Sequence, residues 1–327
     1  MRSLKKVFSF FSFFLVLSSL LLFLFLSHRR HHLFSLPPSF PTLQMYKYRY
    51  PFIGSKAQRV PAAALPLLAL AFPSLIILAH AVLAGTALFG SSQFPPPSRL
   101  EAHAALLGLL ASVVSTGAAT NLLKIGVGRP RPNFAARCWP DDPLAPRFDE
   151  RGVPICAANA VGPLEARKSW PSGHASVSSS GLCYLSFWAA GKLQVFSPER
   201  AGHPSRLVVA SLPLCLAVFV AVSRVSDFYH HATDVLSGFA LGTFLAYAHF
   251  RQCFRCFTSS RAGESHAAAI RGGVGEGGGG GGGEPGSSGG GDGGGGSSSS
   301  GGGNSANAAA AAAAALSGGG NGGEGAV

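Results

Sequence analysis

Long oily runs joined by short polar stretches make up most of this chain. Six runs stand out, over residues 7–26, 62–88, 102–123, 174–190, 207–222 and 232–250. Each approaches the roughly 20 residues of helix that cross a hydrocarbon layer about 30 Å thick. Each carries little or no charge inside, where a Lys, Arg or Asp costs about 2.5–3.5 kcal/mol. The fourth and fifth runs are short, and the fourth is rich in Ser and Gly, which suit close helix packing in a bundle better than lipid contact. Because a helix closes its backbone hydrogen bonds within one segment, the pattern predicts an all-α integral membrane protein, a six-transmembrane helix bundle.

The first run follows MRSLKK and also fits the outline of a signal sequence. It is longer than the usual apolar core of one, and SHRRHHLF offers no small-residue cleavage site, so it reads as an uncleaved span. A plastid transit peptide would explain why no Asp or Glu precedes Glu101, but not the unbroken Leu/Phe run. Past Phe250 the composition changes to Gly, Ser and a run of Ala from Ala308 to Ala315. Such a segment buries too little apolar surface to offset its ordering entropy. Three regions follow: residues 1–60 as an N-terminal span and basic join, 61–257 as the membrane domain, and 258–327 as a disordered tail.

Composition sharpens the class. At 47% hydrophobic and 12% charged over 327 residues, the chain is too apolar for an ordinary soluble domain. Its formal charge of +12 raises nucleic acid as a partner, but the Lys and Arg flank the oily runs instead of gathering on one soluble face. They read as cations beside anionic headgroups, and no nucleic-acid partner is expected. Cys183 and Cys215 fall inside spans as packing residues, and Cys253 and Cys256 just past the last span, where palmitoylation is an option. Cys138 and Cys156 share one long loop and can form a disulfide if that loop faces an oxidising compartment. No Asn-x-Ser/Thr sequon occurs to mark sidedness.

Three polar constellations interrupt the oily pattern: KIGVGRPRPNF at 124–134, PSGH at 171–174 and SRVSDFYHHATD at 223–234. The loop after the third run and the loop after the fifth are two crossings apart, so they share a face of the membrane. Lys124, Arg131 and Arg224 then converge with no obvious carboxylate at the same positions. Buried like charges need an anion between them, and Arg matches phosphate oxygens with paired hydrogen bonds. Pro171 and Ser172 suit a helix start, whose free N–H groups favour an anion, and Gly173 lets the backbone come close. His230 and Asp234 are four apart, so on a helix the carboxylate can hold one ring nitrogen and free the other for attack on phosphorus. His174 supplies a second imidazole able to protonate a leaving alkoxide. No Asp, Glu and Cys cluster suited to a metal accompanies them, and the fixed cations make one unnecessary. Each residue has a plainer role as well: Ser172 as a helix cap, Lys124 and Arg224 as interfacial cations, His230 with Asp234 as a structural pair, His231 as a solvent-side neighbour.

Taken in order, Lys124 with Arg131-Pro132, then Pro171-Ser172-Gly173-His174, then Ser223-Arg224, His230 and Asp234 resemble the three-part signature of the type 2 phosphatidic acid phosphatase superfamily. GRPRPNF, RCWPD, KSWPSGHAS and SRVSDFYHHATDVLSG, with YRYPF before the second run, resemble the eukaryotic lipid phosphate phosphatases, most closely the plant branch. The resemblance covers roughly residues 46–257. It implies that His230 is a nucleophile forming a phosphohistidine, that Asp234 orients it, and that His174 is the acid and then the base. It assigns the phosphoryl oxygens to Lys124, Arg131, Ser172, Gly173 and Arg224, with no magnesium and no other cofactor.

The expected partner is a membrane lipid phosphate such as phosphatidic acid, with diacylglycerol and phosphate as products. Lipid or isoprenoid diphosphates fit the same pocket. A catalytically silent scaffold of the same fold would be expected to lack catalytic positions, and all are present. The resemblance implies a plasma-membrane or endoplasmic-reticulum protein with its site on the non-cytosolic face. Against that orientation, the join at residues 27–60 carries six Lys and Arg and no acid, contrary to the positive-inside tendency. Oligomeric state is left open by the sequence.

Overall fold

In the computed structural model, residues 46–54, 57–83, 99–198, 203–259 and 261–269 are described. The run at 7–26, the last residues of the second run and the tail from residue 270 lie outside them. Long helices follow the oily runs: α1 Ala64–Leu83, α2 Arg99–Val127, α4 Gly173–Lys192, α5 Pro204–Ser226 and α6 Ala232–Cys253. A short helix, α3 Phe134–Cys138, sits in the loop between α2 and α4. Among the described residues no strand forms, and β pairing is limited to two isolated bridges.

Among the described residues three helices, α1, α2 and α5, are long and apolar enough to cross a membrane. Helix α4 is more polar for a visible reason, since it is the axis of the bundle and touches α1, α2, α5 and α6. Most of its buried serines are satisfied within the helix: Ser178, Ser179 and Ser180 donate to carbonyls one turn back. Others tie helices together. Thr120 and Ser176 share a hydroxyl bond of 2.8 Å, and Ser179 reaches the Phe239 carbonyl at 3.2 Å. Close approach also needs glycine, because a methyl on Gly242 would fall on the Ser176 carbonyl and one on Gly181 on the Ala69 backbone. Around this seam Leu109, Leu182, Leu185, Phe250 and Phe254 form the main core.

The two ends of the bundle differ. At one end, the close of α2 and α5 and the start of α4 and α6 gather all three polar constellations. At the other, Lys192 pairs with Glu101 at 3.0 Å, and the Ser265 N–H donates to the same carboxylate at 3.4 Å. The chain from Phe254 turns back there, with a bridge between Phe254 and Ser265 and with Ala262 buried. Residues 258, 259 and 261–269, read as the start of the tail, thus contact the helix ends in the described structure.

Candidate active site

The loop between α2 and α4 is built before it can present a side chain. Phe134, Ala135, Cys138, Trp139 and Ala166 form a small core, closed by a Cys138–Cys156 disulfide. The indole of Trp139 donates to the Ile155 carbonyl at 2.8 Å. This unit fixes the stretch before α3: Arg131 N–H donates to the Ala166 carbonyl and Ser169 N–H to the Arg129 carbonyl, both at 2.8 Å.

His230 lies between α5 and α6, 3% exposed. Its Nδ1 stands 2.7 Å from the Ser169 carbonyl oxygen. A carbonyl only accepts, so Nδ1 carries the proton and Nε2 of the neutral ring keeps its lone pair. Burial first, then the charges of Arg131 and Lys124, push the imidazole well below its ordinary range, which keeps it neutral. Nε2 faces Arg131, whose Nη1 is 3.3 Å away. Arg131 is itself anchored by its Nε on the Glu165 carbonyl at 2.8 Å. Burial and the neighbouring Arg137 lower its pKa to about 10, which leaves it charged at neutral pH. Lys124 projects from the last turn of α2, held by the Lys168 carbonyl at 3.0 Å.

Ser172 caps α4, its hydroxyl accepting from the Ala175 N–H at 3.4 Å. A helix leaves its first N–H groups without intrahelical partners, and Gly173 opens that turn, where a methyl would sit 3.5 Å from Lys124 Cε. His174 follows. Its ring lies beside the Val60 backbone, and the charges of Arg224, Arg131 and Lys124 act on it. Its Nε2 is buried without a partner among the described residues. Two imidazoles and three cations from separate elements therefore meet at one end of the bundle.

Two details depart from the sequence reading. Asp234 does not hydrogen-bond His230: its Oδ2 is 3.9 Å from Nδ1, and the Nδ1 proton belongs to Ser169. His230 precedes the cap residue of α6, His231, so helical i,i+4 geometry does not extend to it. Asp234 instead accepts from Ser169 Oγ at 2.5 Å, from the His231 N–H at 3.0 Å and from Arg129 Nη1 at 2.6 Å. Arg224, for its part, has a carboxylate after all. Its Nη2 meets Asp227 Oδ2 at 2.8 Å, with Nη1 on Gln58 Oε1 at 2.9 Å and Nε on Ser223 Oγ at 3.1 Å.

Sequence reasoning missed Ser169, Arg129, Asp227, Gln58 and Arg59. Residues 57–60 form a strap over the α5–α6 loop, where Arg59 holds Asp227 through both its backbone N–H and its Nη1. Gln58 bonds both Arg224 and the Tyr229 hydroxyl, and that hydroxyl donates to the Ile53 carbonyl at 2.6 Å. YRYPF, just upstream, was the only signal in the sequence, and Tyr50 indeed stacks on Phe228 with ring centroids 5.0 Å apart. Among the described residues no three His, Cys, Asp or Glu side chains stand close enough to share a metal ion.

Comparison with known proteins adds a second line. The profile of the PAP2 superfamily matches residues 105–257, the stretch that carries all three constellations. Lipid phosphate phosphatase 1 of Arabidopsis thaliana is 36% identical over 210 residues, covering 64% of this chain and 58% of that protein. Probable lipid phosphate phosphatase 4 of Arabidopsis thaliana is 41% identical over 155 residues, 46% of this chain and 49% of that protein. Diacylglycerol pyrophosphate phosphatase 1 of Saccharomyces cerevisiae is 39% identical over 154 residues, 46% of this chain and 52% of that protein. This chain spans about half to two thirds of the length of the curated relatives it matches. No solved structure matches it at a significant level.

Proposed function

We propose that this chain, whose residues 105–257 match the PAP2 superfamily, is a lipid phosphate phosphatase, cleaving phosphatidic acid and related lipid phosphates to diacylglycerol and inorganic phosphate. The observation that carries this reading is the state of His230: a neutral imidazole with Nδ1–H committed to a carbonyl and a lone pair on Nε2 facing a guanidinium. In the first step Nε2 forms a bond to phosphorus as the bond from phosphorus to the glycerol oxygen breaks. The departing oxygen takes its proton from Nε2 of His174 in its imidazolium form, which the negative charge of the bound phosphate favours; that nitrogen has no partner among the described residues. In the second step His174 draws a proton from water, the water oxygen bonds to phosphorus, and the P–N bond returns its electrons to His230. Arg131, Lys124, Arg224 and the first N–H groups of α4 hold the non-bridging oxygens as charge builds on them.

A site at helix ends suits an amphiphile whose phosphate reaches the pocket while its tails remain in the bilayer. Six crossings, with the first at residues 7–26, and a non-cytosolic site complete the proposal. The Cys138–Cys156 disulfide beside the site supports that face, because such bonds persist in oxidising compartments. A diphosphate substrate is the second reading, favoured by the similarity to a yeast diacylglycerol pyrophosphate phosphatase. One experiment tests both: phosphate release by the full chain in detergent–lipid micelles from phosphatidic acid, diacylglycerol pyrophosphate and an isoprenoid diphosphate, with EDTA in excess. Turnover of phosphatidic acid under chelation is expected. Faster turnover of a diphosphate would shift the substrate, and loss of activity restored by magnesium would overturn the cation-only site.

A further inference from the structure

We propose that Asp234 acts on His230 through Ser169, which makes Ser169 a positioning residue for the nucleophile; the proposal rests on His230 being the attacking group. A carboxylate that oriented the ring directly would sit within hydrogen-bond distance of Nδ1, and Asp234 Oδ2 is 3.9 Å away. The only proton on Nδ1 is taken by the Ser169 carbonyl at 2.7 Å. The same residue's hydroxyl donates to Asp234 Oδ2 at 2.5 Å, and both groups are fully buried. Hydroxyl and carbonyl belong to one residue, so holding the first fixes the second.

Asp234 also grips the stretch from its far end, since the Ser172 N–H donates to the Asp234 carbonyl at 2.9 Å. Residues 169–172 are thereby tied to the first turn of α6 at two points and to the Arg129 carbonyl at a third. The carboxylate is held in turn, with Arg129 Nη1 on Oδ1 and the His231 N–H on Oδ2. The order of control is Arg129 and His231 on Asp234, Asp234 on Ser169, and Ser169 on the tautomer and aim of His230. The lone pair on Nε2 then points at Arg131. Ser169→Ala keeps the backbone carbonyl but releases it from Asp234, so the ring remains bonded and loses its fixed direction.

The test is a double-mutant cycle on Ser169→Ala and Asp234→Asn in the full-length membrane protein, with steady-state kinetics on phosphatidic acid and inhibition by vanadate, which reports the cation pocket. Loss of one hydrogen bond to a charged group is expected to lower kcat by roughly ten- to a hundredfold in Ser169→Ala. KM and vanadate inhibition should stay within about twofold, because Lys124, Arg131 and Arg224 are untouched; a merely structural loss would weaken all three together. The double variant should be no slower than Asp234→Asn alone. Parental kcat in Ser169→Ala, or two losses that multiply, would overturn the proposal. A second measurement needs no variant of Ser169: the ring N–H of His230 in labelled parent protein, assigned by its disappearance in His230→Ala. A proton bonded to a neutral carbonyl resonates well upfield of one on a carboxylate, and a far-downfield Nδ1–H would assign the contact to Asp234 and overturn the relay. If the parent cleaves no lipid phosphate, the activity reading fails, while the resonance still decides the contact.

Discussion

His230 shows how a single environment sets both reactivity and pH behaviour. Burial and the charges of Arg131 and Lys124 lower its pKa well below the usual histidine value. The folded protein therefore binds this proton less readily than the unfolded chain does. Linkage fixes the sign: the group is neutral in both states above pH of about 6.5 and contributes nothing there, and as pH falls below that value the unfolded state gains a proton the folded state refuses, so stability declines. For the proposed catalysis the consequence is opposite in spirit, since a nucleophile at His230 would need no deprotonation near neutral pH. The rate of phosphohistidine formation from an activated ester such as nitrophenyl phosphate should stay level from pH of about 8 to below about 6. Arg131→Gln removes a charge that depresses the ring, so its weaker residual activity should show an acid limb displaced toward neutral pH. Stopped-flow burst rates across that range check both statements. A parental burst that already halves at the ordinary histidine pKa would show that the nucleophile is not held neutral.

At the scale of elements, the strap formed by residues 57–60 decides how Arg224 is presented. Gln58 accepts from Arg224 Nη1 and donates to the Tyr229 hydroxyl, so Gln58→Leu keeps the bulk of the side chain and removes both bonds. Arg224 retains Asp227 and Ser223, so the guanidinium stays buried but loses one of three fixed directions. The expected outcome is a rise in KM for phosphatidic acid of about tenfold, with a parallel loss of vanadate affinity and a smaller change in kcat. Unchanged KM would show that the strap does not set the pocket. This element also marks the limit of what the sequence discloses. Hydropathy locates α1, α2, α4, α5 and α6 because burial in lipid or in a bundle demands runs of apolar residues. Chain connectivity then brings Lys124, Arg131, Ser172, His174, Arg224 and His230 to one end without any structure. The links among them are not legible, because Gln58, Arg59, Arg129, Asp227 and Ser169 act from loops whose backbone follows no period. The expected His230–Asp234 bond failed for a local reason, as helical spacing applies only inside the helix and His230 stands just before its cap. The serines of α4 mislead in another way: a run polar enough to weaken a hydropathy signal is the most buried of the long helices described, and Ser178, Ser179 and Ser180 tolerate that burial because their hydroxyls bond back to carbonyls of the same helix.

Over the whole molecule, the open question with a direct physical answer is which face of the membrane carries the site. Cations in the join at residues 27–60 favour the cytosolic side for that join, whereas the disulfide on the same end of the bundle as His230 favours an oxidising compartment. The disulfide is the stronger argument, because a thiol pair in reducing cytosol stays open whatever the charge around it, while the positive-inside bias is a statistical tilt that other spans can override. Two engineered glycosylation sites separate the possibilities, since the glycan is added only on the lumenal face. Leu144 is 69% exposed on the loop between α3 and α4, and Leu144→Asn with Pro146→Thr places an Asn-Ala-Thr sequon there, on the surface side of the disulfide-bonded unit. His266→Asn with Ala268→Thr places an equivalent sequon just past α6, at the opposite end of the bundle. The loop variant is expected to gain mass that a glycosidase removes, and the variant past α6 to remain unmodified, with phosphatase activity retained in the first. Glycan on the second and none on the first would place His230 in the cytosol and require Cys138–Cys156 to form there.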